Sequence, residues 1–159
     1  MIEIRPATAD DAPLILQFIR GLAEYEKLAH EAVVTEAGLR ATLFDERPQA
    51  EVILAFDDGE PAGFALFFHN YSTFLGKHGL YLEDLFVKPE ARSKGVGRTL
   101  LVHLAKIAKA RDCGRFEWSV LDWNEPAIEF YKSLGAKPLD DWTIFRVTGE
   151  ALDQLANEF

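Results

Sequence analysis

The segment Arg92-Ser93-Lys94-Gly95-Val96-Gly97-Arg98 sets three cations and two glycines at the mouth of an apolar helical stripe. A helix start leaves backbone N–H groups unpaired and carries a positive dipole end. Gly95 and Gly97 have no side chain to keep a ligand from those donors. The chemistry this suits is the binding of an anion, above all a phosphate or pyrophosphate. Charge is distributed in agreement. The chain has net charge −9, yet residues 88–115 hold eight basic residues and two acidic ones, so this segment is +6 and the rest −15. A polyanion at the loop and a cation nearby fit that asymmetry; the plainer alternative is a lysine-rich surface helix. A second segment, Val120 to Lys132, places Asn124, Ala127, Tyr131 and Leu134 on one helical stripe, with Pro126 in the first turn. Tyr131 could present its hydroxyl to a cleft, or simply pack its ring and wet its hydroxyl.

The elements around these segments follow from periodicity and punctuation. Leu80–Val87 reads as a strand stopped by Pro89, and Val96, Leu100, Leu101, Leu104, Ile107 and Ala108 as one helix face closed by Gly114. Ile2 and Ile4 alternate in an opening strand before Pro6. Thr8 and Asp11 form a capping box ahead of the stripe Leu14, Ile15, Phe18, Ile19 and Leu22. A second helix starts at Thr35. Glu51–Phe56 and Gly63–His69 form a hairpin through Asp57-Asp58-Gly59-Glu60-Pro61. Arg115–Leu121 is a strand, Asn124–Leu134 a helix ended by Gly135, Trp142–Val147 a strand, and Ala151–Ala156 a terminal helix. The order β-α-α-β-β-β-α-β-α-β predicts an α/β (α+β) fold, a mixed sheet flanked by helices on both faces. Residues 1–159 read as one domain, with 48% apolar residues to fill its core.

Several functions are disfavoured. The acidic balance opposes nucleic-acid binding. No apolar run approaches the ~20 residues that span a bilayer, and Met1–Arg5 reads as a strand rather than a signal peptide. One cysteine, Cys113, excludes an internal disulfide and suits a reducing compartment, so the expected location is cytoplasmic. His30, His69, His78 and His103 lack metal-ligand spacing, so no metal is expected and they are read as surface or satisfied core residues. No serine-hydrolase elbow or P-loop occurs, and the Gly-x-Gly lacks the third glycine of a dinucleotide site. Phe64, Phe67, Phe68, Tyr71 and Phe74 are read as core and subunit contact.

In this order and spacing, Ile4-Arg5-Pro6-Ala7-Thr8, Leu22-Ala23-Glu24-Tyr25-Glu26, Tyr81-Leu82-Glu83-Asp84, Arg92-x-x-Gly95-x-Gly97, and Asn124-Glu125-Pro126 through Phe130-Tyr131-Lys132 resemble the GNAT (Gcn5-related) N-acetyltransferase superfamily. Within it the chain is similar to the spermidine/spermine (diamine) N-acetyltransferase group. Tyr25–Leu28 and Val120–Asn124 look closer to its thialysine N-epsilon-acetyltransferase branch. The resemblance implies a mostly antiparallel sheet, acetyl-CoA as co-substrate and a homodimer. It implies that Leu85, Phe86 and Val87 flank the pantetheine as an added strand would, and that Arg92, Ser93, Lys94, Gly95, Val96, Gly97 and Arg98 hold the pyrophosphate. Asn124, Glu125, Pro126, Ala127, Tyr131 and Lys132 would line the cofactor's other flank. It makes Tyr131 the general acid and Glu83 the base, directly or through water. Tyr25, Glu26, Glu83 and Asp84 would form the amine site, bordered by Glu117, Trp118 and Ser119. The distal carboxylate would be Asp140 or Asp141, of which Asp141 is the candidate retained.

These residue types suit acetyl transfer to an amine. An alkylammonium of pKa ~10.4 is neutral in roughly one molecule in a few thousand at pH 7. A carboxylate pair inside an apolar strand attracts such a cation and relays its proton, and burial with like charge raises the pKa of one partner. Adjacent strand residues project to opposite faces, so Glu83 and Asp84 share one site only if the strand is irregular, and a bulge is expected there. The alternative for the pair is a role in holding that bulge or an arginine. A bulge would free an N–H of Leu85, Phe86 or Val87 for the developing oxyanion, an effect commonly worth ~3 kcal/mol. A phenol, protonated at pH 7, can donate to the leaving thiolate. Direct transfer in a ternary complex follows. The competing readings are acetylation of protein lysines or N-termini, and a catalytically silent acyl-CoA-binding regulatory module. Coenzyme A release in the presence of an amine separates the last from the others.

Overall fold

The computed structural model describes residues 1–159 and divides into two compact units, Met1–Leu121 and Asp122–Phe159. The first unit contains β1 (Ile2–Pro6), α1 (Ala12–Tyr25), α2 (Glu36–Leu43), β2 (Glu51–Asp57), β3 (Glu60–Ser72), β4 (Lys77–Val87), α3 (Val96–Ala110) and β5 (Phe116–Trp118). The five strands form one sheet in the order β1-β2-β3-β4-β5, antiparallel throughout except for the parallel β4–β5 pair. This is the mixed, mostly antiparallel sheet with flanking helices that the sequence predicts.

Alternation along the strands sorts the apolar residues onto two faces. Leu54 pairs with Phe64 and Phe64 with Phe86. Together with Val52 they meet Ile15, Phe18, Leu22, Leu39 and Leu43 of α1 and α2 in one core. The Phe18 and Phe64 rings stack at 5.6 Å. The opposite parity brings Ile53, Ala55, Ala65, Phe67, Leu80 and Leu82 to the other face, and α3 supplies buried Val96, Leu100, Leu101, Leu104 and Ala108. At a coefficient of ~25 cal/mol per Å², each buried Val, Leu, Ile or Phe side chain contributes roughly 1.5–3 kcal/mol. Local signals fix the element ends. Thr35 Oγ1 accepts from Gly38 N–H at 3.0 Å and starts α2. The Asp11 carboxylate accepts from Thr8 N–H at 2.8 Å and pairs with Arg5 through two nitrogens. Asp58 and Gly59 turn the β2–β3 hairpin at φ +49° and +85°.

The second unit holds α4 (Glu125–Ser133) and α5 (Gly149–Ala156). The strand expected at Trp142–Val147 does not form, since this unit offers no second strand for a ladder and a strand exists only through its partner. β5 is shorter than Arg115–Leu121: its ladder to β4 runs only from Leu80↔Phe116 to Leu82↔Trp118.

Candidate active site

The β3–β4 register carries the central feature. Leu66 pairs with Asp84 and Phe67 with Leu82, so Glu83 has no partner and bulges out of β4. A bulge of this kind turns two successive side chains toward one side of the strand. Glu83 and Asp84 accordingly share their surroundings with Glu26, just past the end of α1. Burial, then Glu83, then Glu26 push the Asp84 carboxyl up to about 6. Burial and Glu83 also raise Glu26. Three neighbouring carboxylates make a negative recess in which burial and like charge favour the protonated form of Asp84.

Past the bulge, the β5 ladder has already ended at Leu82, and β4 continues through Leu85, Phe86 and Val87 without a parallel neighbour. This is an open strand edge of the kind an extended ligand can join through main-chain hydrogen bonds. Leu85 and Val87 lie under the start of α3: a Cβ built on Gly97 would meet their side chains at 3.9 and 3.7 Å. The edge therefore leads directly to the glycine loop.

In the loop, Ser93 and Gly95 take positive φ values of 64° and 86°. Alternating left- and right-handed residues aim successive N–H groups into one concavity. The first α-helical bond of α3 comes from Thr99 N–H to Gly95 O at 2.9 Å, leaving the N–H groups of Val96, Gly97 and Arg98 without an intrahelical acceptor. Of the loop's cations, Arg92 is engaged on the protein: its Nε donates to Val87 O at 3.0 Å and its guanidinium covers the rings of Tyr25 and Phe86 at 5.0 and 5.8 Å. It thereby ties the end of α1, which carries Tyr25 and Glu26, to the end of β4. Lys94 reaches no closer than 4.0 Å to Asp57 and stays half exposed. Beside this junction an open cleft of about 540 Å³ lies between α1 and the end of β4, flanked by Arg20, Gly21, Phe86 and Lys88.

On β5, the Glu117 carboxylate accepts from Arg115 Nε at 2.8 Å and from Asn70 Nδ2 at 3.3 Å. Ser119 Oγ lies 2.9 Å from the Tyr81 hydroxyl, and Trp118 faces Leu82 in the ladder. In the second unit, Asn124 caps α4 by accepting from Ala127 N–H at 3.4 Å, with Glu125 and Pro126 in its first turn. That bond orients Asn124 and gives it a helix-forming part besides any ligand contact. Tyr131 and Lys132 follow on α4, the Tyr131 ring 5.7 Å from that of Phe130. Asp141 lies in the turn closed by Trp142 N–H to Leu139 O.

Comparison with known proteins agrees with this geometry. The chain is 41% identical over 98% of its length to the thialysine N-epsilon-acetyltransferase of Sus scrofa, covering 97% of that protein. It is 36% identical over 96% of its length to the L-ornithine N5-acetyltransferase of Arabidopsis thaliana, covering 86% of it. Among solved structures, an integron cassette protein from the mobile metagenome of V. cholerae superposes with a TM-score of 0.82 at 29% identity, over 99% of this chain and 98% of that one. Residues 19–136 match the model of the Acetyltransferase (GNAT) family. The family model spans most of the chain and the relatives match it nearly end to end, so the chain belongs to the GNAT family and is an acetyl-CoA-dependent N-acetyltransferase.

Proposed function

We propose that this enzyme transfers the acetyl group of acetyl-CoA directly to the primary amine of a small cationic acceptor, a diamine, polyamine or lysine-like amino acid such as thialysine. The observation that carries the acceptor class is the bulge at Glu83, which gathers Glu26, Glu83 and Asp84 around one recess. Such a recess attracts a compact cation and disfavours an extended neutral peptide. The names of the relatives, which act on thialysine and on L-ornithine, support the same class.

In this reading the N–H groups from Ser93 to Arg98 hold the pyrophosphate, and the β4 edge at Leu85–Val87 lines the pantetheine. An edge N–H there stabilises the tetrahedral oxyanion. Glu83 takes the proton of the bound ammonium directly or through water. The freed amine attacks the thioester carbon, the Tyr131 phenol protonates the sulfur as the C–S bond breaks, and the proton lost from the attacking nitrogen restores the phenol. No bond to the enzyme forms. Asn124, Ala127 and Lys132 close the cofactor's other flank, and Tyr25, Trp118, Ser119 and Asp141 border the amine. The two units work as one acetyltransferase domain, in a cytoplasmic homodimer. No helix is long and apolar enough to cross a membrane.

The test is kcat/KM over thialysine, lysine, ornithine, putrescine, spermidine and a lysine peptide. A preference of at least ~10-fold for one of the small cations over the peptide is expected, equivalent to about 1.4 kcal/mol in the transition state. Equal turnover of all six removes the acceptor assignment. Absence of coenzyme A release with every acceptor removes the catalytic one.

A further inference from the structure

At the opposite end of β4 the fold assembles a group of side chains that acetyl transfer does not use. His69 pairs with Leu80, and Leu80 lies two residues from His78, so the two imidazoles are diagonal neighbours on one sheet face. Their rings stack at 4.8 Å. Cys113, in the turn that follows α3, completes the group: one donor atom from each of His69, His78 and Cys113 lies within 4.8 Å of the others. All three residues are partly buried, within reach of an ion from solvent.

We propose that His69, His78 and Cys113 form a binding site for a borderline divalent cation of the Zn²⁺ type, with water as fourth ligand. The donor set suits that ion, since imidazole and thiolate together favour Zn²⁺ and Co²⁺ over Mg²⁺ or Ca²⁺. A tetrahedral site with Zn–N ~2.0–2.1 Å and Zn–S ~2.3 Å needs donors roughly 3.3–3.6 Å apart. Side-chain rotations that move donor atoms by roughly 1 Å close the present spacing to that value.

The surroundings are already ordered as ligand support. His78 Nε2 lies 2.8 Å from the carbonyl oxygen of Arg111. Donation there puts the proton on Nε2 and leaves the Nδ1 lone pair for the metal, the carbonyl arrangement common behind ligating histidines. The turn bearing Cys113 is fastened to β4 by Gly114 N–H to His78 O at 2.9 Å and by Lys77 to Asp112 at 3.0 Å. Cys113 N–H itself donates to Ala108 O at 2.9 Å. Arg111 approaches His69 Nε2 at 3.4 Å, but both its terminal nitrogens are already satisfied by Glu51 at 2.7 and 3.0 Å. It loses no essential partner when a metal takes His69. The cation and thiolate sum to +1, and Glu51 and Asp112 offset Arg111 and Lys77. Ligation would clamp β3, β4 and the end of α3 together. Nine residue steps along β4, about 30 Å, separate His78 from Val87, so this site stands apart from the proposed acetyl-CoA edge.

Co²⁺ is the probe. The full chain, freed of metal with a chelator, is titrated with CoCl₂ and then with Zn²⁺ in competition. One equivalent of Co²⁺ with a thiolate-to-metal charge-transfer band and tetrahedral d–d bands is expected, displaced by Zn²⁺. Cys113→Ser abolishes the charge-transfer band, and His78→Gln or His69→Gln weakens binding by at least ~10-fold. At Zn²⁺ ~100-fold above its Kd, wild-type Tm rises by roughly 5–10 °C and that of Cys113→Ser does not. A readout that needs no variant is alkylation of Cys113, the one thiol of the chain, which slows at least ~10-fold when Zn²⁺ is present. Co²⁺ bound without the thiolate band, Zn²⁺ affinity unchanged in the variants, or alkylation indifferent to Zn²⁺ each overturns the site. All of these results are independent of acetyl transfer.

Discussion

Asp84 is a residue whose ionisation works against the fold that holds it. Its pKa rises from 3.8 to about 6 on folding because burial and two neighbouring carboxylates penalise its charge. The folded state therefore binds the proton more tightly than the unfolded chain, and stability falls as pH rises from about 4 to 6. Asp84→Asn is expected to raise stability by up to ~3 kcal/mol at pH 7.5, with the gain vanishing toward pH 4, as denaturant melts across pH will report. The same change should raise the amine KM at least ~10-fold, the exchange of stability for function expected at a binding site. Equal stability gains at pH 4 and pH 7.5 would count against the shared recess. At Tyr131, removal of the phenol proton separates chemistry from binding. Tyr131→Phe should lower kcat ~10²-fold or more while the acetyl-CoA Kd stays within about twofold. Full turnover in that variant removes Tyr131 from the mechanism.

At the scale of elements, what matters is how closely β3, β4 and α3 approach one another. A Cβ on Gly63 would sit 2.4 Å from the carbonyl oxygen of Phe86, in the backbone segment next to the open edge. Neither strand can yield there without shifting the ladder. Gly63→Ala is expected to cost about 1–3 kcal/mol, lower Tm by roughly 5 °C, and raise the acetyl-CoA KM. Gly97 is the control. Its added Cβ would meet only Val87 and Leu85 at ordinary contact distance, and alanine favours a helix. Gly97→Ala should therefore hold or slightly raise Tm. Any loss of acetyl-CoA affinity in that variant then reports the ligand's approach to the loop rather than damage to the fold. Similar Tm losses in both variants would contradict the packing argument.

Over the whole molecule, a loop-and-helix segment of +6 is set in a remainder of −15. Under the proposed function, opposite fields would serve the two substrates, the basic one a polyanion and the acidic one a cation. Raising ionic strength from ~0.01 M to ~0.15 M shortens the Debye length from about 30 to 8 Å. The kcat/KM for spermidine should fall several-fold over that range, and more steeply than for a singly charged amine. Equal slopes for the two acceptors would show that the field plays no part in capture.

The sequence by itself determined the punctuation and the chemistry of the ends. Thr35, Asp58-Gly59 and Pro126 mark boundaries through local bonds and dihedral limits, and the glycine loop's residue types alone carry the expectation of an anion. The need for a bulge also followed from residues, because Glu83 and Asp84 are adjacent and a regular strand parts them. Its position, with Glu83 unpaired between Leu82 and Asp84, came from the register between β3 and β4, which no local rule sets. Arg92 turned back onto Tyr25 and Val87 for the same reason: its partners lie on elements that only folding brings near. Trp142–Val147 is rich in the β-branched and aromatic residues a strand favours, yet a ladder needs a partner and its unit holds none. His69, His78 and Cys113 have no motif spacing because three separate elements carry them, and only the sheet register and the turn after α3 bring them together.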